Sequence, residues 1–237
     1  MTIEKVKIVK GANFISIEDT KYLSEEELTE FIIDLMEQPC VNAIRYLNIL
    51  VNSQFSPEIE RLLQEYDFQF HDEIITVQKE LNIEPAHSPY TFIDLYTISE
   101  KEFTTVWNQV MHASLNATPS MNAEEQMESI KIELGSEYRR SCIMVYEKGQ
   151  PIGVTIPHIE EGTAQEGRIF YFGLIPEERG KGKSILIHQH TLNLLMRTFG
   201  AAYYIGSTSH KNLPMLQVFK KNGCMELEKN KAYKRVN

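Results

Sequence analysis

The sequence predicts an α/β protein, classed as α+β in some schemes, with a mixed sheet that carries helices on both sides. Strand-like and helix-like segments alternate along all 237 residues. Several predicted helices begin at a side chain that can cap the backbone. No apolar run approaches the ~20 residues of a membrane helix, and 42% hydrophobic with 24% charged residues is ordinary for a globular chain.

The sequence pattern of residues 1 to 85 predicts strands that alternate with helices, with a strand at each end of the segment. Ser24 with Glu27 forms a capping box, and Ser56 followed by Pro57 marks a second helix start. The predicted elements are a strand at 3–9, a helix after Ser24, a strand at 43–51, a helix from Pro57 and a strand at 73–81.

The rest of the chain continues the alternation after a proline-containing stretch at 81–90, which is predicted to be a linker. Ser99 with Glu102 and Asn122 with Glu125 mark two more helix starts. The predicted elements are strand 91–98, the two capped helices, a hairpin at 141–156, strand 169–175, helix 185–199, strand 202–207, helix 213–222 and strand 229–236.

Charge and cysteine content exclude several function classes. The formal net charge of −9 argues against a nucleic-acid partner. The start of the chain has no apolar signal-peptide region, so we expect a cytoplasmic protein without a membrane partner. Cys40, Cys142 and Cys224 are widely spaced and form no CxxC pair, which argues against disulfides and a zinc site.

The most informative stretch lies between the strand at 169–175 and the helix that follows. Pro176 closes the strand, and the letters RGKGKS at 179–184 lead into the helix. A glycine turn before a helix leaves backbone N–H groups at the positive end of the helix dipole, where phosphate oxygens bind. The sequence therefore predicts a phosphate site here.

Two common phosphate motifs do not fit these letters. A Walker A loop needs a glycine where Glu177 stands, and a carboxylate there would repel phosphates. A dinucleotide fingerprint needs its third glycine where Ile185 stands. Both nucleotide-binding interpretations are therefore rejected.

The letters R-G-x-G-x-S after Leu174-Ile175-Pro176 resemble motif A of the GNAT superfamily of acyl-CoA-dependent N-acyltransferases. The order of later features is also similar: a strand, Asn212 opening a helix, the pair Gly223-Cys224, and a final strand. The resemblance covers about residues 90 to 237. It implies a mostly antiparallel mixed sheet, acetyl-CoA as cosubstrate, no metal, and a primary amine of a small molecule or peptide as acceptor.

The resemblance also implies which residues hold the coenzyme, mainly through their backbones. Arg179, Lys181 and Lys183 form a basic patch that we expect to face the coenzyme A pyrophosphate, although a solvated loop is the simpler alternative. Gly173 is expected to allow close approach or a strand bulge, and Asn212 to contact the pantetheine arm, to cap its helix, or both. The predicted coenzyme-binding residues are Phe172, Gly173, Leu174, Arg179, Gly180, Lys181, Gly182, Lys183, Ser184, Ile185 and Asn212.

The catalytic groups are predicted less directly. Phe219 stands where the family often has a tyrosine that protonates the leaving thiolate. Residues 169, 171 and 173 are expected to share one strand face, which makes Tyr171 the candidate acid, base or acceptor-orienting group. A tyrosine packed in the core is the simpler alternative for this residue. His210 is an alternative relay or an exposed loop histidine, and His188 is predicted to be a buried core histidine.

Two domains are predicted, a degenerate GNAT-like half-domain at 1–85 and a catalytic domain at 86–237. The element order of the first repeats that of the C-terminus, but its only glycine is Gly11, so it lacks a glycine loop. It is expected to cover a sheet edge, shape the substrate side or form a homodimer contact. The loop 112–122 is expected to line the acceptor pocket. A non-catalytic acyl-CoA-binding or sensing module is the main alternative function, and a structural protein with an empty loop is the third.

Overall fold

The computed structural model describes residues 5–10, 14–39, 41, 44–82, 88–116 and 122–237. Several features named above lie outside these ranges: residues 3 and 4, Gly11, Cys40, Ala43, residues 83–87 of the predicted linker and residues 117–121 of the predicted acceptor loop. The chain forms two compact units, one of Met1–Thr76 with Leu227–Asn237 and one of Val77–Glu226. These units divide the chain after Thr76 and again after Glu226, and the predicted domain break after residue 85 stays a prediction.

Within its described residues, the first unit combines five strands with the helices α1 and α2. Its strands pair in the order β1-β2-β3-β10-β4, with β2 and β3 parallel and the β1–β2 and β3–β10 pairs antiparallel. The elements are β1 (Lys7–Lys10), β2 (Phe14–Glu18), α1 (Glu25–Glu37), β3 (Tyr46–Asn52), α2 (Pro57–Glu65), β4 (Gln69–Glu80), which continues into the second unit, and β10 (Met225–Val236).

Local signals explain most of these elements. The Ser24–Glu27 capping box is present at the start of α1, whereas Ser56 precedes α2 without a side-chain cap bond. Strand β2 was not predicted, although its Ile15 and Ile17 are buried in alternation with more exposed residues. Both isoleucines belong to an apolar cluster with residues of α1, β3 and α2, so tertiary packing stabilises this short strand.

The second unit contains the remaining strands and helices. Strands β5 to β8 form consecutive antiparallel pairs, and β9 pairs parallel with β8. The elements are β5 (Tyr90–Asp94), α3 (Glu100–Met111), α4 (Ala123–Leu134), α5 (Tyr138–Ser141), β6 (Ile143–Glu147), β7 (Gln150–Ile159), β8 (Glu166–Leu174), α6 (Lys183–Phe199), β9 (Tyr203–Ser209) and α7 (Leu213–Lys221). The mixed, mostly antiparallel sheet of the prediction is confirmed.

Helices cover both faces of the sheet in the second unit. Helices α3 and α4, which begin at the predicted capping boxes, pack around Trp107 against one face. Helix α6 packs Ile187 against the other face, next to Phe172 and Leu174. Alternate residues of β8 therefore face different helices.

Strand β8 contains a bulge and then diverges from β9. Its register against β7 shifts between the pairs Thr155–Phe172 and Pro157–Ile169, so one extra residue lies on β8. Ile169 packs with the α6 cluster and not with Tyr171, so the prediction that 169, 171 and 173 share a face is wrong for Ile169. Over the described lengths of β8 and β9, pairing is confined to Glu166–Tyr203 and Gly167–Tyr204. The two strands are therefore unpaired toward their carboxyl ends, and we call the unpaired region between them the gap.

Candidate active site

The loop between β8 and α6 has an open surface at the start of a long helix. Gly180 and Gly182 have φ angles of 72° and 74°, a region that side chains other than glycine rarely adopt. A Cβ placed on either glycine would meet no atom within 4 Å. Gly182 is the N-cap of α6, and neither a side-chain cap nor an acidic residue is present in the first turn. The first N–H groups of α6 are therefore available to an anion.

Arg179 binds carbonyl oxygens of the protein itself. Its Nε donates to the carbonyl of Leu174 at 2.9 Å, and Nη1 donates to the carbonyl of Ala113 at 3.0 Å. Its Nη2 donates to the carbonyls of Val110 at 2.8 Å and His112 at 2.9 Å. The guanidinium thus ties the glycine loop to the carboxyl end of α3. The expectation that its charge also faces a pyrophosphate stays a prediction.

The two lysines of the loop are paired with carboxylates. Lys183 Nζ lies 2.5 Å from carboxylate oxygens of both Glu147 and Glu178, and Lys181 Nζ lies 3.2 Å from Glu178. Glu147 and Glu178 raise the pKa of Lys183, and the two lysines lower the pKa of Glu178. Because these charges compensate one another, the backbone N–H groups at the start of α6 are the main groups left to receive an anion.

The last residues of β8 present their backbone to the gap. The N–H of Ile175 donates to the carbonyl of Ile152 on β7 at 3.0 Å, so by strand alternation Phe172 and Leu174 direct their N–H and C=O groups away from β7. The Leu174 carbonyl is bound by Arg179, and the Phe172 carbonyl accepts from Nδ2 of Asn116 at 3.0 Å. The two N–H groups on this side face the gap.

Gly173 is required by close packing. A Cβ at this position would lie 2.6 Å from Cγ1 of Val110 on α3, well inside any real contact distance. The bulge of β8 lies earlier, between Ile169 and Phe172, so it does not arise from Gly173. The glycine instead lets α3 approach the end of β8.

Asn212 lies at the amino end of α7 and is almost fully buried. Its Oδ1 accepts from the Met215 N–H at 3.3 Å, which is the predicted helix cap. Its Nδ2 donates to Thr208 Oγ1 at 3.0 Å and to Asn116 Oδ1 at 2.7 Å. The capping role is confirmed, and contact with a pantetheine arm stays a prediction.

Tyr171 lies beside the end of β8 on the α3 face. Its hydroxyl is 3.5 Å from Ser114 Oγ and 3.8 Å from the Cβ position of Gly173, and its ring packs edge-on against Trp107 at 5.4 Å. Burial raises the pKa of Tyr171, partly offset by Ser114 and Arg179. The phenol is therefore neutral at ordinary pH and can only donate a proton.

Phe219 is buried, at the position where the resemblance implied a tyrosine that protonates the leaving thiolate. It packs against His188 and Tyr204, with ring centroids 5.7 Å and 6.3 Å away. His188 has no exposed surface, and its Nδ1 lies 2.9 Å from Nδ2 of Asn222. Burial, with a smaller contribution from Lys79, lowers the pKa of His188 to about 3. The prediction of a buried core histidine is confirmed.

This histidine gives a testable pH dependence. Between its ordinary pKa of 6.5 and its folded value of about 3, the unfolded chain binds a proton at His188 that the folded chain does not. The free energy of unfolding should therefore fall by about 1.4 kcal/mol per pH unit below 6.5 from this group, or about 2 kcal/mol at pH 5. Urea unfolding of the wild type and His188→Leu at pH 7 and pH 5 measures this slope. An equal change in the free energy of unfolding between pH 7 and pH 5 for the two proteins would contradict this prediction.

The remaining titratable groups form no metal centre in the part of the chain that is described. No cluster of three or more His, Cys, Asp or Glu side chains there is arranged to hold an ion. Cys142 is buried and Cys224 is half-buried, and neither forms a disulfide with a described residue. Among the described helices, none combines the length and apolar character needed to cross a bilayer.

Several residues of the site were not found by sequence reasoning. Ser114 and Asn116 lie in the predicted acceptor loop, but no sequence pattern predicted that they contact β8. Glu147 lies within the predicted hairpin at 141–156, and Glu178 lies between the predicted strand and the glycine loop, and neither position indicated an ion pair. Charge complementarity to Lys183 was the one available signal, and it does not specify which carboxylates pair.

Comparisons with known proteins place this geometry in a recognised fold. No family model and no curated protein matches the sequence. A GCN5-related N-acetyltransferase from Sphaerobacter thermophilus matches with a TM-score of 0.67 at 12% identity, over 98% of this chain and 76% of that one. A tandem GNAT protein from the clavulanic acid biosynthesis pathway matches with a TM-score of 0.63 at 10% identity, over 98% and 78%. A GCN5-related N-acetyltransferase from Kribbella flavida matches with a TM-score of 0.56 at 10% identity, over 98% of this chain and 90% of that one.

The chain therefore has the fold of the GCN5-related N-acetyltransferases. This confirms the fold that the motif A resemblance implied. The glycine loop, the uncapped start of α6 and the gap between β8 and β9 all lie in the second unit of that fold.

Proposed function

We propose that the protein is an acetyl-CoA-dependent N-acetyltransferase acting on a primary amine of a small molecule or peptide. The observation that carries this proposal is the open glycine loop at an uncapped helix start, next to two diverging strands of an acetyltransferase fold. A phosphate-bearing donor with a narrow arm suits such a surface. The acidic chain, with a net charge of −9, favours a cationic acceptor.

The donor would be held mainly by backbone groups. The N–H groups at the start of α6 would receive the pyrophosphate, since the loop lysines are already paired. The pantetheine arm would enter the gap along Phe172 and Leu174, whose N–H groups face it. An N–H there can also polarise the thioester carbonyl.

The reaction is a transfer without a change in oxidation state. The neutral amine nitrogen attacks the thioester carbon, the C–S bond breaks, and the nitrogen loses a proton as the thiolate gains one. In this chain Tyr171 is the proposed donor of that proton, because its raised pKa keeps the phenol protonated and it lies beside Gly173. Phe219 cannot take this role.

Tyr171→Phe tests this assignment. We expect kcat to fall about a hundredfold, the lower end of general acid catalysis, while the KM for acetyl-CoA stays unchanged. The measurement is release of free coenzyme A thiol with a panel of primary amines, from polyamines to peptides with free amino termini. Tyr96→Phe, the same substitution at a tyrosine that is 68% exposed and lies outside the proposed site, is the control.

The alternative of a non-catalytic acyl-CoA-binding module predicts a different result. Acetyl-CoA would bind, but no amine in the panel would release thiol above the buffer rate. Equal turnover by the wild type and Tyr171→Phe would instead keep the enzyme proposal and remove Tyr171 from the chemistry.

A further inference from the structure

The segment 112–116, which follows α3, is held by the elements that surround the donor gap. The carbonyl of His112 is bound by Arg179 of the glycine loop. Ser114 lies next to the Tyr171 hydroxyl on β8. Asn116 binds both β8 and the start of α7. The segment predicted to line the acceptor pocket is thus attached to the proposed donor site.

Asn116 makes the bond that spans the gap. Its Nδ2 donates to the carbonyl of Phe172 at 3.0 Å, and its Oδ1 accepts from Nδ2 of Asn212 at 2.7 Å. One carboxamide therefore uses a donor toward one side of the gap and an acceptor toward the other. This is the pattern that a secondary amide of a ligand would make if it lay between the same two partners.

We propose that Asn116 is a latch that occupies the place of an amide of the donor's pantetheine arm. Pantetheine carries two amides, and the Phe172 carbonyl is one of the backbone acceptors that its N–H groups would use. Entry of the arm then displaces the Asn116 carboxamide and frees segment 112–116. The acceptor binds productively only after the donor arm is seated. This inference rests on the proposed function, because it requires that coenzyme A binds in the gap.

The latch lowers the apparent affinity for the donor. Two neutral hydrogen bonds of ordinary net strength favour the latched form by roughly tenfold, so the arm binds about tenfold more weakly than it would to an open gap. This loss of affinity affects only ligands that carry the pantetheine arm. A ligand that binds only through its phosphates does not compete with Asn116.

Calorimetric titration of Asn116→Ala with two ligands tests the latch. Coenzyme A carries the arm, whereas adenosine 3′,5′-bisphosphate carries a nucleotide without it. We expect Asn116→Ala to bind coenzyme A about tenfold more tightly than the wild type does, with unchanged affinity for the bisphosphate. Asn82→Ala, the same substitution at an exposed asparagine outside this segment, is the control, and its affinities for both ligands should equal those of the wild type.

Hydrogen exchange supplies a second measurement on the wild-type protein. Coenzyme A should speed amide exchange in residues 112–116, and adenosine 3′,5′-bisphosphate should not. Slower exchange with coenzyme A, or equal or weaker binding of it by Asn116→Ala, would overturn the latch and leave the proposed function intact. If neither ligand binds the wild type, the proposed function and the latch both fail.

Discussion

Replacing Gly182 with aspartate should weaken coenzyme A binding by about a thousandfold. Two like charges about 4 Å apart, at an effective dielectric constant of about 20, repel by about 4 kcal/mol, which corresponds to that loss of affinity. Gly182 is the N-cap of α6, and its Cβ position is open, so the carboxylate would lie among the N–H groups proposed for the pyrophosphate. The same carboxylate would satisfy the helix dipole in place of the ligand.

Gly182→Asn is the matched control for this substitution. Asparagine has nearly the same shape and tolerates positive φ about as well, but it carries no charge. The affinity of Gly182→Asn for coenzyme A should fall far less than that of Gly182→Asp. Thermal unfolding offers a simple measurement, since ligand at about 100 times Kd stabilises the wild type by about 2.7 kcal/mol, which raises Tm by roughly 5 °C or more. An equal upward shift for Gly182→Asp would show that the loop does not bind the phosphates.

Local sequence signals predicted most of the second unit. Capping boxes at Ser99 and Asn122, and the proline that closes β8, depend on neighbouring residues and were found from spacing alone. The β8 bulge was not predictable, because it depends on how many residues of β7 oppose β8. It moved Ile169 to the other face while Tyr171 stayed beside Gly173, as expected.

The location of the candidate site was predicted better than the roles of its individual side chains. The conformations of Gly180 and Gly182 follow from a turn before a helix, so the loop was identified from sequence. The partners of charged side chains follow from tertiary structure. Lys183 meets Glu147 across 36 positions of sequence, and Asn116 meets Asn212 across 96. No local pattern encodes such pairs.

Arg179→Ala should destabilise the protein by about 3 kcal/mol, the scale of two hydrogen bonds to a charged group. The four carbonyls that the guanidinium binds would lose their donor, three of them at the carboxyl end of α3 and one at the end of β8. Urea unfolding measures this loss. Arg179→Lys should recover only part of it, since an ammonium cannot reach all four oxygens in the guanidinium geometry.

Lys181→Ala separates this role from phosphate binding. Lys181 is in the same loop and is about half-exposed, with a side-chain exposure of 52% and an ion pair to Glu178, so its removal should cost less than about 1 kcal/mol. If Arg179 instead bound phosphate, its alanine variant would unfold like the wild type and lose coenzyme A affinity with a shallower salt dependence. The expected pattern is the opposite. A basic residue at a phosphate loop can serve the protein's own carbonyls, and its loss then appears first in the free energy of unfolding.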